Sequence, residues 1–255
     1  MHPLDLFYEE RKKRLADQGR DGPLRRAGRD FLRESLRSGY SYNFSWLGRP
    51  VIQYPQDLMA LQEIIWRVKP RLIIETGIAH GGSIIFSASM LELLGGDGLV
   101  LGIDIDIRAH NRPLILGHPL AHRLRLVEAG SLDEAAAAEA RQLAERGGPV
   151  MVILDSDHTH QHVLAEMRLY GPLVSPGSYM VVFDGLVEDF PEAVAPGRPW
   201  GPGNNPLSAI REFLSGADEF EIDREMEDKL MITAAPSGYL QKKNPGRPLI
   251  PIISQ

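Results

Sequence analysis

The chain has 255 residues, 28 basic and 34 acidic side chains, a formal charge of −6 and no cysteine. That length fits one α/β domain with an added segment, and the 43% apolar content is that of a globular protein. Without cysteine there are no disulfides, thiolate metal sites or cysteine nucleophile, and a net negative chain lacks the basic field that holds nucleic acid.

No apolar run reaches the ~18 residues of a membrane span, so no membrane partner is expected, and the opening MHPLDLFYEERKK has no signal-peptide core. The expectation is a soluble, cytoplasmic protein. Residues 1–50 read as a polar, helical and aromatic arm or lid: Phe7, Arg14 and Leu15 fall at helical spacing, as do Phe31, Leu32 and Leu36. The basic side chains of this stretch alternate with acids, the pattern of a solvated helix face. Its aromatic residues make a homo-oligomer the expected assembly. Tyr40 to Pro50 lacks helical pattern and fits either a core-covering loop or the wall of a ligand site.

From Pro55 a helical stripe of Leu58, Leu61, Ile64, Ile65 and Val68 runs to Pro70. Apolar runs at Leu72–Ile74, Leu99–Ile103, Leu124–Val127, Val150–Leu154 and Tyr179–Phe183 then alternate with helical patterns at Ser83–Leu94, Glu134–Arg146 and Val163–Tyr170 and with a Pro-broken stretch at Ile107–Leu116. Runs without polar alternation are strands covered on both faces, and the alternation with helices gives parallel βαβ units. Short strands at Phe220–Ile222, Lys229–Thr233 and Tyr239–Lys242 have no helix between them and predict an antiparallel C-terminal edge. The fold class is therefore α/β, a doubly wound and mostly parallel sheet over 51–255. Ligands in such sheets sit beyond the carboxyl ends of the strands.

Four of the five strand ends are acidic: Glu75, Asp104, the Asp155-Ser-Asp157-His158 segment, and Asp184. One such Asp is ordinarily a turn or cap residue, but four at one rim point to cationic ligands. Gly77, Gly81 and Gly82 let backbone approach a ligand, His80 lies in the same turn, and Ser83 can cap the next helix. The spacing is not that of a dinucleotide site, and Glu75 would repel a pyrophosphate. S-adenosylmethionine, with a sulfonium, an ammonium and ribose hydroxyls within reach of Asp104, suits the charge. Asp155, Asp157 and Asp184 converge on one crevice, where Mg²⁺ would relieve their repulsion and acidify a coordinated hydroxyl. Asp157 or His158 is then the general base. His158 and His162, four apart, allow a competing histidine–metal site, and with Asp155 an iron site. Trp200, in the Gly- and Pro-rich stretch 198–206, can stack on a sugar ring or be an ordinary buried tryptophan.

The stretches Tyr42-Asn-Phe-Ser-Trp-Leu-Gly-Arg-Pro50, Ile74-Glu-Thr-Gly-Ile-Ala-His-Gly-Gly-Ser83, Gly102-Ile-Asp-Ile-Asp-Ile-Arg108 and Pro199-Trp-Gly-Pro-Gly-Asn-Asn-Pro206 resemble the cephalosporin hydroxylase family, whose relatives include rhamnosyl O-methyltransferases. The resemblance spans roughly residues 40–241. It implies the Rossmann-like class I S-adenosylmethionine-dependent methyltransferase fold with a Mg²⁺ site. It also implies Glu75 and Gly77 at the methionine end of the cofactor, Asp104 at the ribose, Ser131 near the adenine, Asp155 and Asp184 as metal ligands, and Asp157 as base. His80, Gly81, Ser83 and Asp155 complete the expected cofactor-binding set. Gly185 departs from the pattern, since relatives carry an acid or Asn there; Asp157, Glu188 or water would replace it. The implied reaction is methylation of a hydroxyl on a deoxysugar or glycosylated metabolite. A metal- and 2-oxo-acid-dependent hydroxylase, or a noncatalytic protein that binds the cofactor, are the alternatives.

Overall fold

The computed structural model describes residues 2–20, 22–190 and 197–245; the last ten residues of the expected 51–255 domain lie outside them. Two helices open the chain, α1 (Pro3–Gln18) and α2 (Pro23–Arg37), each with proline in its first turn, where no amide hydrogen is needed. Strands β1 (Phe44–Trp46) and β2 (Arg49–Val51) then form a hairpin. Its two-residue turn, Leu47-Gly48, has both φ angles positive (45° and 83°), the conformation that matches strand twist. The stretch read as a loop is thus paired, and it lies across the helix at Gly82–Leu94.

Helix α3 (Pro55–Val68) ends as its periodicity predicts, at a left-handed Lys69 followed by Pro70. The sheet that follows contains β3 (Leu72–Thr76), β4 (Leu99–Asp104), β5 (Leu124–Glu128), β6 (Val150–Leu154), β7 (Tyr179–Val182), β8 (Phe220–Ile222) and β9 (Tyr239–Lys242). Their order is β5-β4-β3-β6-β7-β9-β8. The five central strands pair in parallel, and β9 runs antiparallel to both β7 and β8. The expected antiparallel strand is therefore inserted next to the edge, between β7 and β8.

Alternate side chains of the strands go to opposite faces, as the two-residue period demands. Ile73, Val100, Met151, Ile153, Val181 and Phe183 pack under α3 and α4 (Gly82–Leu94). Leu72, Ile74, Leu101, Val152 and Met180 pack under α6 (Glu134–Ala144), α7 (His160–Tyr170) and α8 (Pro206–Leu214). The segment 107–116 is helical only as α5 (Arg112–Leu116). The strand expected at Lys229–Thr233 does not form. Helix α9 (Arg224–Leu230) occupies its start, and Met231 turns the chain with φ 58°. The apolar side chains there serve a helix: Met226 and Leu230 are buried in the α3–α4 layer. Among the described residues no helix is long and apolar enough to cross a membrane.

Candidate active site

Strand order reverses between β3 and β6, so a crevice opens beyond their carboxyl ends. Two glycines make that crevice. Gly77 has φ 88°, and a Cβ there would lie 2.0 Å from the carbonyl oxygen of Asp155, so the β3 turn and the β6 end meet backbone to backbone. Gly82, in the first turn of α4, would drive a Cβ to 2.1 Å from the Pro50 carbonyl. The hairpin thus crosses directly over the helix start.

Glu75 is buried in β3, and the Ser87 hydroxyl donates to it at 3.3 Å. Burial pushes its carboxyl up to about 7, more than its hydrogen bonds from Ser83 and Ser87 offset. Among the described residues no cation perturbs this buried acid, which suits a ligand that brings an ammonium group. Asp104 is already engaged with backbone: Oδ2 accepts from the amides of Ile78 (2.8 Å) and Ala79 (3.3 Å), and Oδ1 from Asp106 (3.0 Å). It shapes the glycine turn while keeping lone pairs for further donors. His80 takes part through its carbonyl, which accepts from buried Arg49 at 2.9 Å; Arg49 also donates to Asn111 Oδ1 at 2.9 Å, and the Asn111 amide donates in turn to the Ala79 carbonyl at 3.0 Å. Gly81 carries the left-handed φ of 85° that starts α4.

Across the crevice, ligand atoms of Asp155, His158 and Asp184 lie within 4.8 Å of one another, an arrangement able to hold a metal ion. His158 Nε2 is 3.1 Å from Asp184 Oδ2. Gln53 donates to Asp155 Oδ2 at 2.9 Å. Loss of solvent, then the charges of Asp184, Glu75 and Asp57, hold the Asp155 carboxyl well above the usual carboxylate range. Asp184 sits in the left-handed region, φ 59°, which for a residue with a Cβ is strained backbone of the kind found at functional sites. Next to it a Cβ at Gly185 would lie 3.3 Å from Leu207 Cβ and 3.4 Å from the Pro236 carbonyl, a tight fit that a larger side chain would enter only with a small shift of its neighbours. The indole of Trp200 meets the His158 ring edge-on at 4.9 Å between centroids.

The expected residues do not all converge. Asp157 stands outside the three-residue cluster; its Oδ1 accepts from the Thr159 amide at 2.8 Å, ahead of α7. Burial raises its carboxyl, but hydrogen bonds from Thr159 and the nearby His162 and His158 bring the balance below the ordinary value. Glu188, the other candidate third ligand, is committed to the loop at 201–205, accepting from the Gly203 amide (2.7 Å) and from Asn205. The histidine–metal alternative also fails on geometry. His158 precedes α7 while His162 lies within it, and His162 Nε2 turns to Ser131 Oγ (3.0 Å) and Glu166. Gln53, Arg49, Asn111 and Asp57 were not expected at the site. Only the Leu-Gly-Arg-Pro stretch hinted at one of them.

Sheet order, glycine turn and carboxylate rim together define a Rossmann-like, class I methyltransferase fold. The chain belongs to the family described as Rhamnosyl O-methyltransferase/CmcI, whose model matches residues 38–243. A rhamnosyl O-methyltransferase of Mycobacterium tuberculosis (strain ATCC 25618 / H37Rv) is 34% identical over 223 residues, 83% of this chain and 85% of its own. That of Mycobacterium leprae (strain TN) is 33% identical, covering 84% and 92%. Among solved structures, an apo-structure of CmcI superposes with a TM-score of 0.55 at 20% identity, over 79% of this chain and 77% of that one. A CmcI structure with Mg and SAM gives 0.54 at 19%.

Proposed function

We propose that this chain, an S-adenosylmethionine-dependent O-methyltransferase by family, methylates a hydroxyl of a deoxysugar or glycosylated metabolite with the help of Mg²⁺. The observation that carries this reading is the Asp155–His158–Asp184 cluster facing buried Glu75 across a glycine turn with no room for a side chain. The residues fit both groups: two carboxylates suit a hard cation, and a proton-hungry buried acid suits the cofactor's ammonium. When bound, Mg²⁺ acidifies and orients an acceptor hydroxyl and S-adenosylmethionine supplies the methyl group.

The chain's own residues do the rest. Asp155 and Asp184 would hold the metal, with water or the acceptor completing the set that Gly185 and the committed Glu188 leave short. His158, the histidine inside the cluster, would take the acceptor's proton. Of the two expected bases it is the one inside the cluster; Asp157 is occupied at the α7 start. Asp104 would accept from the ribose hydroxyls, Gly77, His80, Gly81 and Ser83 would line the methionine end, and Trp200 would wall the acceptor side. Holding donor and acceptor in line supplies most of the acceleration, up to ~7–11 kcal/mol. The arm leaves Leu4, Leu6 and Phe7 exposed, which supports self-association.

Asp155→Ala tests the reading. Calorimetric binding of S-adenosylhomocysteine should persist, while methyl transfer to rhamnosylated acceptors, followed as a gain of one CH₂ by mass spectrometry, falls at least ~100-fold. Full activity of the variant in chelator would remove the metal from the mechanism.

A further inference from the structure

The turn between β3 and α4 bends in a way that residues with a Cβ rarely adopt. Gly77 and Gly81 have φ of 88° and 85°, and between them the exposed Ala79, without glycine's freedom, is held at φ 45°. Left-handed backbone at an alanine is unfavourable by itself, and this turn is gripped from both sides. On one side Asp104 accepts from the amides of Ile78 and Ala79. On the other, two side chains from distant parts of the chain take the next two carbonyls. Asn111, just ahead of α5, donates to the Ala79 carbonyl at 3.0 Å. Arg49, from β2, donates to the His80 carbonyl through Nε at 2.9 Å and through Nη2 at 2.5 Å. The same Nη2 donates to Asn111 Oδ1 at 2.9 Å and joins the two side chains into one clasp.

Both members are buried, Arg49 at 7% exposure and Asn111 at 3%. A buried guanidinium is ordinarily paired with a carboxylate, yet among the described residues the oxygens that Arg49 bonds are all uncharged. Burying a cation on such terms is costly, which argues for a use beyond packing. The directions of these hydrogens require no choice of protonation state. A guanidinium only donates, so Asn111 turns its oxygen to Arg49 and its amino group to the Ala79 carbonyl.

We infer that Arg49 and Asn111 are positioning residues that hold Ala79 left-handed and so keep the glycine turn in the shape that receives the methyl donor. The inference rests on the methyltransferase reading, which puts the donor on this turn. Once the clasp is lost, the turn relaxes to other shapes and the donor binds only the fraction that is still bent correctly.

The test is calorimetric affinity of the full chain for S-adenosylhomocysteine. Arg49→Met should weaken binding about tenfold, the factor that corresponds to an alanine left unheld in a left-handed turn. Adding Ala79→Gly, which removes the Cβ that disfavours positive φ, should recover at least about threefold of that loss. The same change in the wild-type background, where the clasp already holds the turn, should move affinity by less than about twofold. The isosteric Asn111→Asp keeps an acceptor for Arg49 but turns oxygen toward the Ala79 carbonyl. It should weaken binding by a similar factor with the same recovery, and it keeps the test open if Arg49→Met does not fold. Affinities within twofold of wild type in the folded variants, with only the melting temperature lowered, would leave the clasp a packing role and overturn the inference. A loss that Ala79→Gly does not recover would give Arg49 some other task and overturn it as well. Wild type failing to bind S-adenosylhomocysteine would overturn the methyltransferase reading and the inference with it.

Discussion

At the carboxylate rim of the sheet, side chains divide by which strand end they follow. His158 and Asp157 are neighbours in sequence and both are sound bases on paper, yet one faces the cluster and the other caps a turn. The expected outcome of His158→Ala is therefore a fall in kcat of about 10²–10⁴ with calorimetric Mg²⁺ affinity kept within a few-fold. Asp157→Ala should cost less than tenfold in kcat and register mainly as a lower melting temperature, of the size of a lost local hydrogen bond, ~1 kcal/mol. The reverse ranking would move the base to Asp157. Sequence could mark Asp155 and Asp184 because strand ends are legible from apolar runs. It could not tell which of two adjacent residues turns inward, because that depends on where α7 begins. Nor could it foresee Gln53 beside Asp155 or Arg49 beside His80, whose partners lie far along the chain.

At the scale of elements, the crevice depends on chain segments approaching closer than side chains allow. Gly77→Ala places a methyl group 2.0 Å from the Asp155 carbonyl at φ 88°, adding a clash to backbone strain. Denaturant titration should show a loss of more than ~2 kcal/mol, with cofactor affinity lost alongside, because the β3 turn must pull back from the β6 end. A stable, cofactor-binding variant would mean that the turn has freedom not apparent here. The helices were legible wherever prolines and glycines punctuate them, as at Pro55, Lys69-Pro70 and Gly81. The hairpin at 44–51 was not, since a two-residue turn of Leu47-Gly48 between three-residue strands carries too few alternations to count. The segment 229–233 misled for the opposite reason: its apolar residues are spaced well enough for a strand, but Met226 and Leu230 form the buried face of α9.

For the molecule as a whole, two buried acids couple stability to pH. Asp57 accepts from the Tyr239 hydroxyl (2.7 Å), the Ala234 amide (2.8 Å) and Thr233, fastening α3 to the chain before β9. Burial nonetheless pushes it up to about 6, and Glu75 up to about 7. Both hold protons more tightly folded than unfolded. Their contribution is thus complete below about pH 4 and is lost as pH rises through 6 and 7, by up to roughly 3 kcal/mol each. Calorimetry of the ligand-free chain should show the melting temperature falling from pH 5 to pH 8. Glu75→Gln should flatten the slope, and S-adenosylhomocysteine should restore stability at the alkaline end. An unchanged slope in Glu75→Gln would mean that this acid is already ionised when folded. The overall architecture was readable because fully buried parallel strands announce themselves as unbroken apolar runs, whereas the place of β9 inside the sheet is a matter of pairing partners that no local pattern encodes.

The contact between Gly77 and the Asp155 carbonyl has a practical corollary. Glycine turn and carboxylate cluster hang from one hinge pin of main chain, while Trp200 and its loop are fastened through Glu188 and Asn205. A designer wishing to alter what the crevice admits could rework that outer mount, keeping Trp200 against His158, and leave the main-chain pin untouched.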